Sequence, residues 1–171
     1  GRYIYFDGWL NGIRRFNPSN IAFTDSTGKF NISRDPSGKG NGSIVPMNWS
    51  ERKYGQGKLT WRIASLLKLN YNFIYDDNTA KAYNRDYFYN PDGIGKNFAQ
   101  STTQIAQLTH TLSQSTFYTL GASLFDKDVK YYLYEDPNDP GYVHPKLFTR
   151  DDPFSFLTGG TDLNRFHRST K

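Results

Sequence analysis

An all-β fold, and within it an antiparallel up-and-down transmembrane β-barrel segment of about five to six strands with long extracellular loops, is what this sequence predicts. The first observation is alternation. From Leu67 to Tyr75 the odd positions are apolar or aromatic (Leu67, Leu69, Tyr71, Phe73, Tyr75), and the even positions read Lys68, Asn70, Asn72 and Ile74, with only Ile74 breaking the rule. Period two with one apolar face is a β-strand. The second observation is an asymmetry of connections. An alternating strand, a three-residue turn, a second alternating strand and a long Asn/Asp/Tyr-rich loop occur twice in succession. A soluble sandwich joins its strands with turns of similar size at both ends, whereas a membrane barrel alternates short turns with long loops. The third is an aromatic content of 17% beside a hydrophobic content of only 36%, with 13 Tyr and 13 Phe in 171 residues. Amphipathic rings suit membrane interfaces, sugar surfaces and nucleic-acid platforms alike, so this last signal favours no single partner.

Each element follows from local pattern. Residues Arg2 to Leu10 are rich in Tyr, Ile, Phe and Trp and end at Asn11-Gly12, a turn pair, which predicts a first strand. The polar stretch from Ile13 to about Ser50 reads as a long loop with a small hairpin around Ile21 to Ile32 and a glycine-rich run, Asp35 to Ser43. A second strand is expected from Arg52 to Ala64, with Leu59, Trp61 and Ile63 on one face and Lys58, Thr60 and Arg62 on the other. Ala64-Ser65-Leu66 turns the chain into a third strand, Leu67 to Asp77. Asn78 to Gln100 is then a loop around the turn signal Asn90-Pro91-Asp92-Gly93. The fourth strand, Ser101 to Leu112, sets Gln104, Ala106, Leu108 and His110 on one side. The fifth, Thr116 to Tyr134, sets Tyr118, Leu120, Ala122 and Leu124 outward, with the smaller Thr119, Gly121 and Ser123 among those facing the other way. After Glu135 the chain reads as mostly loop.

These strands reach the roughly nine to eleven residues that cross a bilayer when tilted. Five or six of them cannot close a barrel, since the smallest have about eight strands and open edges are intolerable in lipid. The expectation is therefore a single partial β-barrel domain over residues 1–171, cut from a longer polypeptide. No apolar run approaches the length of a spanning helix, and the beginning of the chain has no signal-like apolar core.

Other chemistries find little support. The net charge is +5, but basic residues stand singly or in pairs (Arg14 and Arg15, Arg52 and Lys53) among acidic ones, so no phosphate-tracking stripe suggests a nucleic acid. Without cysteine there are neither disulfides nor thiolate metal sites. The two glutamates, Glu51 and Glu135, show no spacing that pairs them as a glycosidase acid and base. His110, His144 and His167 lack ligand spacing, and Gly38-Lys39-Gly40-Asn41-Gly42 lacks the ending of a phosphate loop. Asp136-Pro137-Asn138-Asp139-Pro140-Gly141 has Pro140 where a calcium ligand belongs, and Leu147 stands where an EF-hand loop places its glutamate. No enzyme, cofactor or metal is expected.

Val45-Pro46-Met47-Asn48-Trp49-Ser50, Gly57-Lys58-Leu59-Thr60-Trp61-Arg62 and Leu67-Lys68-Leu69-Asn70-Tyr71-Asn72 together resemble the barrel of TonB-dependent outer-membrane receptors. So do Leu108 to Ser113, Ser115 to Tyr118 and Tyr132 to Pro137. The likeness is greatest to receptors with a carboxypeptidase-like regulatory domain ahead of the plug. It implies a fragment of a cell outer-membrane (Gram-negative type) receptor for energised uptake of a scarce nutrient: an iron chelate, cobalamin or a glycan. It also implies that the plug, the TonB box and the remaining strands lie elsewhere, with TonB contacted only through that missing N-terminal region. On this reading Leu59, Trp61, Ile63, Leu67, Leu69, Tyr71, Phe73, Tyr118, Leu120 and Leu124 face outer-membrane lipid. The loop segment with Tyr83, Arg85, Asp86, Tyr87 and Tyr89 is the candidate for contact with a small-molecule or oligosaccharide ligand, because rings stack on and polar groups bond a solute. The bland alternative is that these rings pack the loop. The rival class is a soluble secreted β-sandwich that binds carbohydrate, which would bury the odd-position row beneath a second sheet.

Overall fold

The structure, a computed structural model, describes residues 1–24, 26–28, 30–33, 40–150 and 156–171. Asp35 to Lys39, read from the sequence as glycine-rich loop, lie outside the described residues. In chain order the strands are β1 (Arg2–Asp7), β2 (Asn11–Ile13), β3 (Ile21–Thr24), β4 (Phe30–Ser33), β5 (Ile44–Pro46), β6 (Trp49–Ala64), β7 (Leu67–Lys81), β8 (Lys96–Thr111), β9 (Phe117–Tyr132), β10 (Thr149–Arg150), β11 (Leu157–Gly159) and β12 (Phe166–Thr170). Single 3-10 turns occupy Arg85–Tyr87, Pro91–Gly93 and Pro145–Leu147.

The chain is all-β. One six-stranded antiparallel sheet runs in the order β1-β6-β7-β8-β9-β12, with β2–β5, β3–β4 and β10–β11 as separate two-stranded pairs. Among the described residues no pairing joins β1 to β12, so the sheet is open. Its long strands are hairpins in sequence. Ser65-Leu66 alone connects β6 to β7, after a bulge between Arg62 and Ala64 that leaves Ile63 without a partner across the ladder. Residues 112–116 connect β8 to β9, where the amides of Leu112 and Ser113 both donate to the Thr116 carbonyl. At the opposite end the chain makes its long excursions, 8–48, 82–95 and 133–165.

The ladder departs from the sequence expectation at its loop end. The third strand continues past Asp77 to Lys81, and the fourth begins at Lys96 instead of Ser101, with Thr79 opposite Phe98 and Ala80 opposite Asn97. Backbone pairing needs no apolar side chains, so the ladder outlasts the alternation that revealed it. After Glu135 the described chain is mostly loop, as expected, but β12 returns unanticipated to the sheet and pairs Phe166 with Tyr131 through Thr170 with Lys127. Its five residues contain Phe166 as their one large apolar group, too short an alternation to read.

Burial divides the molecule. Of the six sheet strands, only Lys81, at the very end of β7, is buried. The core lies instead among the long connections: Met47, Tyr87, Ile94 and Leu157, with Tyr83 and Phe148 packed against them.

Candidate functional site

Antiparallel partners project to the same side, so the register sorts the sheet into two faces. On one face stand the rows Trp61–Leu69–Leu108–Leu120, Leu59–Tyr71–Ala106–Ala122, Gly57–Phe73–Gln104–Leu124 and Leu67–His110–Tyr118. Nine of the ten residues that the sequence assigns to an outward stripe therefore share this face. Ile63, the tenth, sits in the bulge outside the paired rows. Among the described residues nothing covers the band: Leu59 is 58% exposed, Trp61 57%, Leu120 61% and Leu124 70%. Across β6 to β9 it runs from the Leu67 row to the Phe73 row, seven residues deep, and in β7 it reaches Tyr75, whose row holds Gly55, Thr102 and Asp126.

Three hydrogen bonds join polar side chains to neighbours on the same face. The Tyr71 hydroxyl donates to Gln104 Oε1 at 2.9 Å, and Gln100 Nε2 donates to the Tyr75 hydroxyl at 2.9 Å. His110 Nδ1 lies 3.0 Å from the Tyr118 hydroxyl, with the two rings edge to face at 5.3 Å. An apolar surroundings tolerates amides and phenols only when they are bonded in this way.

The other face is a different surface. Its strand cations are Arg2, Arg52, Lys58, Arg62, Lys68, Lys127 and Arg168, against the single carboxylate of Asp76. The apolar face carries Lys53, Lys81, Lys96 and Lys130 against Asp7, Glu51, Asp77, Asp126 and Asp128. Between the cations stand Thr60 and Asn70, bonded to each other at 3.0 Å, and Asn72, Asn78, Ser101 and Gln107, interspersed with Ile4, Phe6, Tyr54, Ile74, Ile105, Phe117, Phe125, Val129, Tyr131 and Phe166. Arg52 forks onto Asp76, its Nε 2.9 Å from Oδ1 and its Nη2 on Oδ2. Arg62 stands directly opposite Lys68, and neither makes an ion pair among the described residues. Two open grooves mark the loop end of this face. One of about 620 Å³ is lined by Arg2, Ile4, Arg52, Tyr54 and Gln56, and one of about 270 Å³ is lined in part by Arg52, Asp76, Asn78, Ser101 and Lys127.

The connections are tied into a cap above the sheet. The Ile13 amide donates to the Phe88 carbonyl at 2.8 Å, Phe16 to Tyr89 at 3.0 Å, Gly160 to Pro18 at 2.8 Å and Asp162 to Gly93 at 2.7 Å, so all three long connections hold one another. Asn20 Nδ2 reaches the Thr158 carbonyl at 3.0 Å and Asn90 Nδ2 the Gly160 carbonyl at 2.8 Å, both side chains buried. Gly160 has φ +111° and the Phe148 ring at its α-carbon, so no other residue fits there without strain. Arg14 grips Asp92 through two bonds of 2.7 and 3.0 Å.

Within this cap the five loop residues singled out by the sequence separate. Tyr87 is buried in the core with Tyr83 against it. Tyr89 packs edge-on against Phe16, Phe88 and Phe156. Arg85 lies over the Phe156 ring at 5.1 Å, and Asp86 pairs with Arg150 at 3.0 Å. Arg85 and Asp86 are exposed, Tyr87 is buried, and Tyr83 and Tyr89 are half-buried. Burial pushes the Tyr87 hydroxyl up to about 12, with Asp162 and Asp86 adding to the shift. Six residues beyond the apolar band, Lys81 donates to the Pro91 carbonyl, and its burial pulls the ammonium down to about 8 against the opposing pull of Asp92.

Sequence reasoning missed Lys81, Met47, Ile94 and Leu157, whose spacing follows no single period because three separate connections bring them together. It also passed over the charge segregation, although the period-two pattern that revealed the apolar stripe carries that signal on its alternate positions. Among the described residues no three His, Cys, Asp or Glu side chains gather as a metal site. No described helix is long and apolar enough to cross a membrane. Comparison with protein-family models, with curated proteins and with solved structures finds no match.

Proposed function

We propose that this chain is part of the barrel of a TonB-dependent type outer-membrane receptor, with the apolar face against lipid and the cationic face lining the lumen. The sheet contributes wall, the cap contributes extracellular loops, and the whole receptor takes up a scarce nutrient such as an iron chelate, cobalamin or a glycan. TonB is engaged through a region outside this chain. The observation that carries the reading is the uncovered band centred on Leu59, Trp61, Leu69, Leu108, Leu120 and Leu124, aligned in register between the Leu67 and Phe73 rows. A contiguous apolar surface of this depth calls for an apolar partner, and a bilayer supplies one without a second layer of protein. A carbohydrate-binding sandwich needs a second sheet over that band, and among the described residues none covers it.

The test uses the three tryptophans, Trp9, Trp49 and Trp61, one at a time in the whole proposed receptor with every other tryptophan replaced, folded into vesicles of lipid brominated on the acyl chains. Trp61 fluorescence is quenched strongly, and Trp9 and Trp49, which belong to the cap and the top of β6, are quenched weakly. Equal quenching of all three, or none, removes the proposal.

A further inference from the structure

We infer that the cationic face is built to bind an anionic, hydroxyl-rich solute, which narrows the nutrient to a sugar acid, a sugar phosphate or a chelate with several negative groups. This rests on the proposal that the face lines a lumen. The register alone does the sorting, because Arg52 and Lys53 adjoin in sequence but project to opposite sides, as do Lys127 and Asp128.

Three features point to an absent anion. Arg62 directly faces Lys68 across the β6–β7 ladder, an arrangement that costs stability unless a counter-charge sits between them. Lys58 lies on the same face two rows nearer the loops, so the positive charge continues along the wall. Asp76 alone offsets the strand cations of this face, and it is already held by Arg52. The amides and hydroxyls between the cations, Asn70, Asn72, Asn78 and Ser101 among them, match a ligand that presents hydroxyls beside its negative groups. A neutral glycan would leave the cations without partners. A nucleic acid is a poorer fit, since the rings of this face, apart from the Tyr131–Phe166 pair, stand separately at Phe6, Tyr54, Phe117 and Phe125 instead of forming a continuous stacking series.

The whole proposed receptor, folded in micelles of a zwitterionic detergent, is titrated calorimetrically with hexagalacturonate, inositol hexakisphosphate and neutral maltohexaose, at 50 and 200 mM NaCl. We expect one or both anions to bind, at least tenfold more tightly than maltohexaose and several-fold more weakly at the higher salt. Carboxylate and phosphate chemistries are told apart by which anion binds. Lys58→Gln and Lys127→Gln each weaken binding by roughly three- to tenfold. Lys53→Gln and Lys130→Gln, charge changes of the same kind on the opposite face, alter it less than twofold. Absence of anion binding, binding of maltohexaose at equal strength, or equal losses from the two pairs of variants overturns the inference. Trp61 quenching, measured on the same receptor in brominated vesicles, reports separately on the membrane reading. A quenched Trp61 with no anion preference defeats this inference alone.

Discussion

The sheet and the cap are made from the same chain by opposite rules. In the sheet, side chains as large as Trp61 and Leu124 stand mostly exposed, and no strand residue before Lys81 is buried. In the cap, Met47 and Asn90 are fully buried, and hydrogen bonds cross between all three connections. A protein that folds by burying a core in water would invert this distribution. On the membrane reading proposed above, the difference reflects two solvents. The cap satisfies itself against water with a small core, whereas the sheet leaves its apolar surface for a medium that the chain does not provide.

The largest way to break the comparison is to charge the band. Leu69→Arg, cross-strand from Trp61 and Leu108, should cost about 2–4 kcal/mol of folding into a bilayer, while Asn70→Arg on the opposite face costs less than about 1 kcal/mol. Urea-dependent folding of both variants into lipid vesicles measures the pair. Equal cost at the two positions would erase the distinction between the faces.

Next comes the cap's own core. Met47 has no exposed surface and touches the cluster of Tyr87, Ile94 and Leu157. Met47→Ala should loosen the cap by about 2–3 kcal/mol through lost burial and the cavity left behind. Hydrogen exchange of the Ile13, Asn90 and Gly160 amides should accelerate accordingly, with sheet amides such as those of Leu69 and Leu108 unchanged. Acceleration in both regions together would mean that cap and sheet unfold as one unit.

These two substitutions also mark what could be read from the chain beforehand. Leu69 was legible because a single strand's alternation announces a face without reference to any other segment. The same is true of Tyr118, Leu120 and Leu124. Met47 was not legible, because its partners come from 82–95 and 133–165, and no local period encodes an encounter between loops. Tyr87 was noticed as an aromatic among polar neighbours, yet its sequence surroundings could not distinguish a ring aimed at solute from one aimed at Met47. Asn90-Pro91-Asp92-Gly93 was recognised as a turn. That Gly93 must also admit the Gly160 carbonyl, which would stand 2.6 Å from any added β-carbon, depends on a connection some seventy positions away.

A third test turns on pH. Lys81 has a folded pKa of about 8, below its ordinary value near 10.4, so between these values the unfolded cap binds more protons than the folded one. Cap stability should therefore rise as pH increases from about 8 toward 10, by roughly 2 kcal/mol. Tyr87 acts oppositely: its folded value of about 12 lies above the ordinary 10, so stability falls once pH passes 10. Urea unfolding of the cap, followed by Trp49 fluorescence with Trp9 and Trp61 replaced by Phe, should pass through a maximum near pH 10. Lys81→Met should abolish the rise and keep the fall.

The smallest effect sharpens the comparison at its boundary. Arg14 and Asp92 join the first connection to the second through two good bonds, but both side chains are about two-fifths exposed. Screening by water and salt limits such a pair to about 0.5–1 kcal/mol, and less at high ionic strength. A double-mutant cycle with Arg14→Gln and Asp92→Asn, read as cap stability in urea, should give a coupling in that range. The core contacts of Met47 should resist 0.5 M salt where this pair does not. A coupling well above 1 kcal/mol would mean that the cap is held by its charges, and its resemblance to an ordinary water-soluble core would then be superficial.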